Sequence, residues 1–240
     1  MSESQYPSLK IAVYADGANK ADMLKRCREG FVQGFTTNPT LMAKAGIRDY
    51  EGFAREILGE IKTHPISFEV FSDDFAAMER EAMKIATWGT NVNVKIPIIN
   101  TKSQSALPLI RTLLDRKLKL NVTAIFTQEQ LDGLRAIVQP QDDVIVSIFA
   151  GRIADTGVDP MPLMRKAVQD FRSKSGCKIL WASPREALNV YQAQDCGCQI
   201  ITATDDTISK LKLNGKSLSE FSLETVKMFY QDAQKAEFSI

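Results

Sequence analysis

Short apolar runs rich in β-branched residues recur along the chain, with longer amphipathic stretches between them. The runs occupy residues 11–16, 34–38, 66–70, 92–97, 120–126, 144–150, 178–183 and 199–203. Runs of this length and composition read as strands. Their starts lie 21 to 34 residues apart, which leaves room in each interval for one strand, one helix and two short loops. Eight such units predict an α/β chain folded as a (β/α)8 TIM barrel. A doubly wound open sheet is the competing architecture, but it usually carries a glycine-rich turn after an early strand. Gly17-Ala18-Asn19 does not follow that G-x-G-x-x-G pattern.

The intervening stretches have helical spacing. Residues 74–87 open on Asp-Asp, residues 103–116 repeat the pattern, and residues 161–174 close before Gly176. Beyond the eighth strand come a helix over 204–212 and an amphipathic stretch over 219–238. No linker or low-complexity tract interrupts the chain. One barrel domain spanning 1–240 is expected, with 219–238 as a C-terminal helical appendage.

Within the strands, polar residues fall on alternate positions and so share a face. Asn91, Asn93 and Lys95 lie opposite Val92, Val94 and Ile96; Ser67 pairs with Glu69, and Asn121 with Thr123. The same alternation groups Ile145, Ser147 and Phe149 in strand six, and Ile179, Trp181 and Ser183 in strand seven. Strand one ends in Asp16. Each buried polar group left unsatisfied costs about 1–3 kcal/mol, so this many imply a shared purpose. Barrel chemistry gathers at the C-terminal strand ends, where Lys95 would meet Asp16, Glu69, Asn121, Thr123, Ser147 and Ser183. Lys95 alone could be an edge-strand lysine or half of a buried ion pair. In such company a desolvated lysine can instead become nucleophilic and form a Schiff base with a carbonyl substrate.

Composition narrows the chemistry. The 30 Lys and Arg against 29 Asp and Glu leave a net charge of +1, which gives no general attraction for nucleic acid. No run of about 18 apolar residues predicts a membrane span. The first eight residues lack the basic and apolar regions of a signal peptide, so a cytoplasmic protein is expected. The single histidine, His64, precedes Pro65 and reads as a surface loop residue, which removes the usual base of nucleophilic triads. Cys27, Cys177, Cys196 and Cys198 lack the paired spacing of a zinc or redox site. They read as reduced, partly buried thiols. No metal and no cofactor are expected.

Gly34-Phe35-Thr36-Thr37-Asn38-Pro39-Thr40 resembles the G-x-T-T-N-P-S signature of transaldolases and the related fructose-6-phosphate aldolases. Val94-Lys95-Ile96-Pro97 resembles their Schiff-base motif. Asn121-x-Thr123, Ser147-x-Phe149-x-Gly151-Arg152-Ile153-x-Asp155 and Ala182-Ser183-x-Arg185 follow in family order. The likeness covers roughly residues 9–205, and the family fold is also a (β/α)8 barrel.

The resemblance implies a role for each matching residue. Lys95 would hold a dihydroxyacetone unit as a Schiff base, and Asp16 would move the hydroxyl proton as the carbon–carbon bond breaks and forms. Glu69 and Thr123 would hold the water that shuttles protons. Thr36, Asn38, Asn121, Ser147, Phe149 and Ser183 would line the substrate site, and Arg152 and Arg185 would bind the terminal phosphate. The substrates would be sugar phosphates of the pentose phosphate pathway. The aldolase subgroup commonly carries Gln and Tyr where this chain has Glu69 and Phe149, which favours transfer over cleavage. Cleavage of the fructose-6-phosphate aldolase type, and a phosphosugar-binding barrel with a different substrate, are the alternatives.

The chain departs from the pattern at Gly17, Ile148 and Pro184. It departs also at Trp181, which alternation would aim into the barrel beneath the site. The extra C-terminal helix is expected to pack on a neighbouring subunit or on its own barrel's rim, as in the family's shorter members. A homo-oligomer follows from the first of these.

Overall fold

Each of the eight apolar runs contributes a strand, and the strands pair in parallel and close into a barrel in chain order. The structure is a computed structural model that describes residues 6–237. The strands are β1 (Ala12–Asp16), β2 (Gly34–Thr36), β3 (Ile66–Glu69) and β4 (Val92–Pro97), followed by β5 (Leu120–Ile125), β6 (Val144–Ile148), β7 (Cys177–Trp181) and β8 (Ile200–Ala203). β8 returns to pair with β1 through Ala12 to Ala15.

Around the barrel lie α1 (Lys20–Glu29), α2 (Pro39–Lys44), α3 (Tyr50–Glu60), α4 (Phe75–Ala86) and α5 (Leu107–Asp115). They are followed by α6 (Gln128–Ile137), α7 (Ala150–Asp155), α8 (Met161–Asp170), α9 (Leu188–Asp195) and α10 (Asp205–Lys210). A last helix, α11 (Leu218–Lys235), follows the completed barrel. Asn19, Asn38, Asp49, Asp74 and Thr127 cap their helices by accepting a backbone N–H three residues on. Such a cap contributes about 0.5–2 kcal/mol.

Two apolar layers divide the core. Val13, Phe35, Phe68, Val94, Val122, Val146 and Ile201 face outward and join the helices in the larger cluster. Tyr14, Ile145, Leu180, Ala182 and Ile200 form a smaller cluster inside the barrel. The Tyr14 ring lies where a Cβ on Gly34 would stand, with its Cζ 2.5 Å from that position. Only glycine therefore fits at the head of the Gly34–Pro39 motif.

Five expectations are corrected. In β7, Leu180 and Ala182 face inward, whereas Ile179 and Trp181 belong to the outer cluster. The Trp181 indole therefore does not enter the barrel; it is 1% exposed, and its Nε1 has no partner among the described residues. The helix expected from Ser103 begins at Leu107. Before it, the Asn100 side chain accepts from the backbone of Lys102 and Gln104, and Ser103 takes a left-handed φ of 58°. α8 stops at Asp170 rather than Lys174. α11 begins at Leu218 and runs to Lys235; Phe238 lies outside the described residues. α11 buries none of its residues, so it does not pack on its own barrel's rim.

Among the described residues no helix is long and apolar enough to cross a membrane. All four cysteines are free, Cys196 and Cys198 buried and Cys27 and Cys177 half-buried. His64 is half-buried, with its Nδ1 3.5 Å from the Cys27 Sγ.

Candidate active site

The inward faces of β1 to β6 carry their polar residues to the C-terminal half of the barrel. Lys95 is 7% exposed, and its Nζ lies 3.0 Å from Glu69 Oε2. The two strands hold these residues directly opposite each other in register. The ammonium also donates to the Thr37 carbonyl at 3.1 Å. A buried ion pair must recover the cost of desolvating two charges, and the carbonyl supplies an additional hydrogen bond on the lysine side.

Asp16 ends β1. The Thr36 hydroxyl donates to its Oδ1 at 2.8 Å and also hydrogen-bonds the Thr202 hydroxyl on β8. Burial raises the Asp16 carboxyl above the usual aspartate range; the Lys95 charge and the Thr36 hydrogen bond pull it down, and the Glu69 charge pushes it up. A carboxyl raised in this way is better suited to exchange protons near neutral pH.

A side-chain chain crosses the interior. The Asn121 amide donates to Ser67 Oγ at 3.0 Å, and Ser147 Oγ donates to Asn121 Oδ1 at 2.6 Å. These contacts fix the Asn121 rotamer with its oxygen toward β6. Thr123 is 1% exposed, yet its hydroxyl has no partner among the described residues. A buried hydroxyl of this kind is normally satisfied, and here it is free to bond a bound water or substrate group. Directly after it Ala124 has φ 59°, and the β5–β6 register shifts between Val122 and Ile125.

At the rim, Phe149 follows β6 and is half-buried, packed with the inner cluster and 5.5 Å from the Phe126 ring. The Arg152 guanidinium stands 5.2 Å over the Phe149 ring. Arg185 forms an ion pair with Asp155, its Nε 2.9 Å from Oδ1. Its guanidinium is thereby held by a carboxylate at the exposed rim. Asn38 caps α2 through its Oδ1, accepting from Leu41 N–H at 3.0 Å. Ser183 is half-buried at φ 60°, which interrupts the strand alternation just past β7.

The structure thus brings Asp16, Thr36, Glu69, Lys95, Asn121, Thr123 and Ser147 together, and leaves Asn38, Arg152 and Arg185 at the periphery. The sequence reading missed Thr202 and the Thr37 carbonyl. Alternation in Ile200-Ile201-Thr202-Ala203 places Thr202 beside Ile200 on the inner face; a backbone carbonyl has no residue-type signal at all. Among the described residues, no group of three or more His, Cys, Asp or Glu converges as a metal site.

A family model described as transaldolase/fructose-6-phosphate aldolase matches residues 13–240. The chain is 34% identical to a probable transaldolase of Dehalococcoides mccartyi over 194 residues, 80% of this chain and 86% of that protein. It is 30% identical to a probable transaldolase of Bdellovibrio bacteriovorus, covering 93% of this chain and 98% of that protein. Among solved structures, 3-hexulose-6-phosphate synthase superposes with a TM-score of 0.58 at 15% identity, covering 85% of this chain and 98% of that one. Dihydrodipicolinate synthase from Rhodopseudomonas palustris gives a TM-score of 0.58 at 16% identity, covering 94% and 82%. At those identities the two structures speak to the barrel fold alone.

Proposed function

The chain belongs to the transaldolase/fructose-6-phosphate aldolase family, and we propose that it acts as a transaldolase, carrying a dihydroxyacetone unit between sugar phosphates on Lys95. The observation that carries this reading is the Lys95 ammonium, enclosed in the barrel 3.0 Å from Glu69. Asp16 senses both charges from the end of β1, across the barrel mouth.

As the neutral amine, Lys95 Nζ adds to the ketose carbonyl carbon, forming a C–N bond. A proton passes from nitrogen to the former carbonyl oxygen through a water bound by Glu69 and Thr123. Glu69, which takes the ammonium's proton to free the amine, returns it through the same water, and the oxygen leaves as water, giving the protonated imine. Asp16 takes the proton of the hydroxyl on the carbon next to the bond that breaks. The bond's electron pair moves into the iminium as an enamine, and an aldose phosphate departs. An acceptor aldehyde reverses these steps, with Asp16 returning the proton. Asn121 and Ser147, already linked to each other, and Thr36 offer hydrogen bonds to the bound hydroxyls. Arg152 and Arg185 meet the phosphate at the rim.

Phe149 favours transfer over cleavage, because a phenyl ring offers no proton to the enamine while it waits for an acceptor. With Trp181 turned outward, the conventional donor fructose 6-phosphate loses its main steric objection. The setting is cytoplasmic carbohydrate metabolism, at the sugar-phosphate exchanges of the pentose phosphate pathway. α11, which buries none of its residues on its own barrel, supports a homo-oligomer in which it packs on a neighbouring subunit.

Borohydride reduction in the presence of fructose 6-phosphate, followed by peptide mass analysis, tests the reading. The adduct is expected on the peptide containing Lys95 and absent from Lys95→Met. An adduct retained in that variant would move the Schiff base elsewhere.

A further inference from the structure

Glu69 stands at the last position of β3, where its neighbour β2 has already ended. The β2–β3 ladder runs from Phe35 N–H to Pro65 O at 2.8 Å and from Thr37 N–H to Ser67 O at 3.1 Å. In a parallel ladder the next rung would run from residue 39 N–H to Glu69 O, with Glu69 N–H donating to Thr37 O. Neither bond forms. Residue 39 is proline, which has no N–H, and the chain turns there into α2. The Thr37 carbonyl instead accepts from Lys95 Nζ.

Both vacated backbone groups of Glu69 are met by one side chain. The Tyr50 hydroxyl accepts from Glu69 N–H at 2.8 Å and donates to Glu69 O at 3.2 Å. Tyr50 is the first residue of α3, behind the Asp49 cap. Its ring is wedged among Phe68, Phe71 and Trp88, with centroids 6.0, 4.4 and 5.5 Å away. Burial raises its phenol far above the usual tyrosine range, so it remains a donor at any pH the protein meets.

We infer that Tyr50 is a positioning residue for the lysine: its hydroxyl substitutes for the missing rung of β2, holding Glu69 beside Lys95 and leaving the Thr37 carbonyl free to receive the ammonium. This inference rests on the proposed roles of Lys95 and Glu69. Without the hydroxyl, the acceptor that the ladder register offers Glu69 N–H is the Thr37 carbonyl, in direct competition with Lys95. Tyr50 touches neither substrate nor the reacting atoms, and acts through the placement of two groups that do.

The test compares the full-length protein with Tyr50→Phe, Glu69→Gln and the double variant. It measures the rate of borohydride trapping with fructose 6-phosphate, kcat, KM and amide exchange at Glu69. Phe keeps the aromatic packing. Tyr50→Phe is expected to trap and turn over about 10- to 100-fold more slowly, the scale of a small misplacement of a catalytic group, with KM changed less than twofold. In the Glu69→Gln background the same substitution should cost less than in the unmodified protein, because the part of the loss that runs through the carboxylate is already gone. Equal losses in both backgrounds, or no loss in either, would overturn the inference while leaving the site reading intact. No trapping at Lys95 in the unmodified protein would overturn the site reading and this inference together. Should Tyr50→Phe not fold, Glu69 amide exchange in the unmodified protein decides: protection is expected, and the fast exchange of an unpaired N–H overturns it.

Discussion

Gly151 lies so close to Ser183 that a Cβ on it would fall 1.5 Å from the Ser183 carbonyl oxygen. The Gly151 N–H also donates to Ala182 O at 3.3 Å. The first turn of α7 and the segment just past β7 are thereby pressed backbone to backbone, where Ser183 takes its left-handed turn. Gly151→Ala is expected to destabilise the protein by about 2–4 kcal/mol in urea unfolding, because backbone must move to admit the methyl. Gly59→Ala on α3, with nothing within 4 Å of the new methyl, should stabilise by up to about 1 kcal/mol. Equal effects would show that the contact is slack.

Asp16 links stability to pH. Burial raises its folded pKa above the ordinary 3.8, so the folded state binds more protons between the unfolded and folded values, and stability falls as pH rises through that window. Above it the buried charge is a constant cost. Asp16→Asn should therefore have a higher Tm than the unmodified protein at pH 7, an advantage that disappears below about pH 3.8. Each kcal/mol appears as about 2–4 °C in a chain of this size. A variant less stable at pH 7 would mean that the Lys95 attraction outweighs burial. Turnover should be lost in either case.

Reaction type rests on Phe149. Fructose 6-phosphate alone should release little dihydroxyacetone, and erythrose 4-phosphate should strongly raise release of glyceraldehyde 3-phosphate. Phe149→Tyr places a phenol at the rim and is expected to raise acceptor-independent cleavage about tenfold, which requires only about 1.4 kcal/mol in the protonation barrier. Efficient dihydroxyacetone release by the unmodified protein would favour the aldolase reading.

The two rim arginines differ in their surroundings. Arg152 stands over Phe149, whereas Arg185 is paired with Asp155. Replacing either by Ala should raise KM for phosphorylated donors about 10- to 100-fold, the scale of a lost charge-assisted hydrogen bond, and leave unphosphorylated dihydroxyacetone nearly unaffected. Asp155→Asn frees the Arg185 guanidinium and should not weaken phosphate binding. A loss on both substrate classes would assign the arginines to structure.

α11 exposes Leu218, Val226 and Tyr230 at 84, 61 and 66%. Light scattering at micromolar concentration should give a multiple of the chain mass, and Val226→Glu should reduce it without loss of helical signal. A monomeric mass for the unmodified protein rejects subunit packing.

Alternation alone was enough to assign the faces of β3, β4 and β5, because each sets polar residues at every second position against apolar ones, and Ser147 alone marked the inner face of β6. The spacing of eight such runs was enough for the barrel, and the inner polar residues then had only one place to meet. β7 was misphased for a physical reason: Ile179, Leu180, Trp181 and Ala182 are apolar on both faces, and a strand buried on both sides leaves no alternation to read. The left-handed turn at Ser183 then ends whatever period the strand had. Other decisions belonged to tertiary structure because they join groups with no shared periodicity. Asp155 at the end of α7 holds Arg185 in the segment after β7, and the Tyr50 hydroxyl reaches a backbone rung from the head of a helix. The pairing of Glu69 with Lys95 was written into two strands, but only the closed barrel put them in register, and only the early end of β2 left the Thr37 carbonyl free for the ammonium.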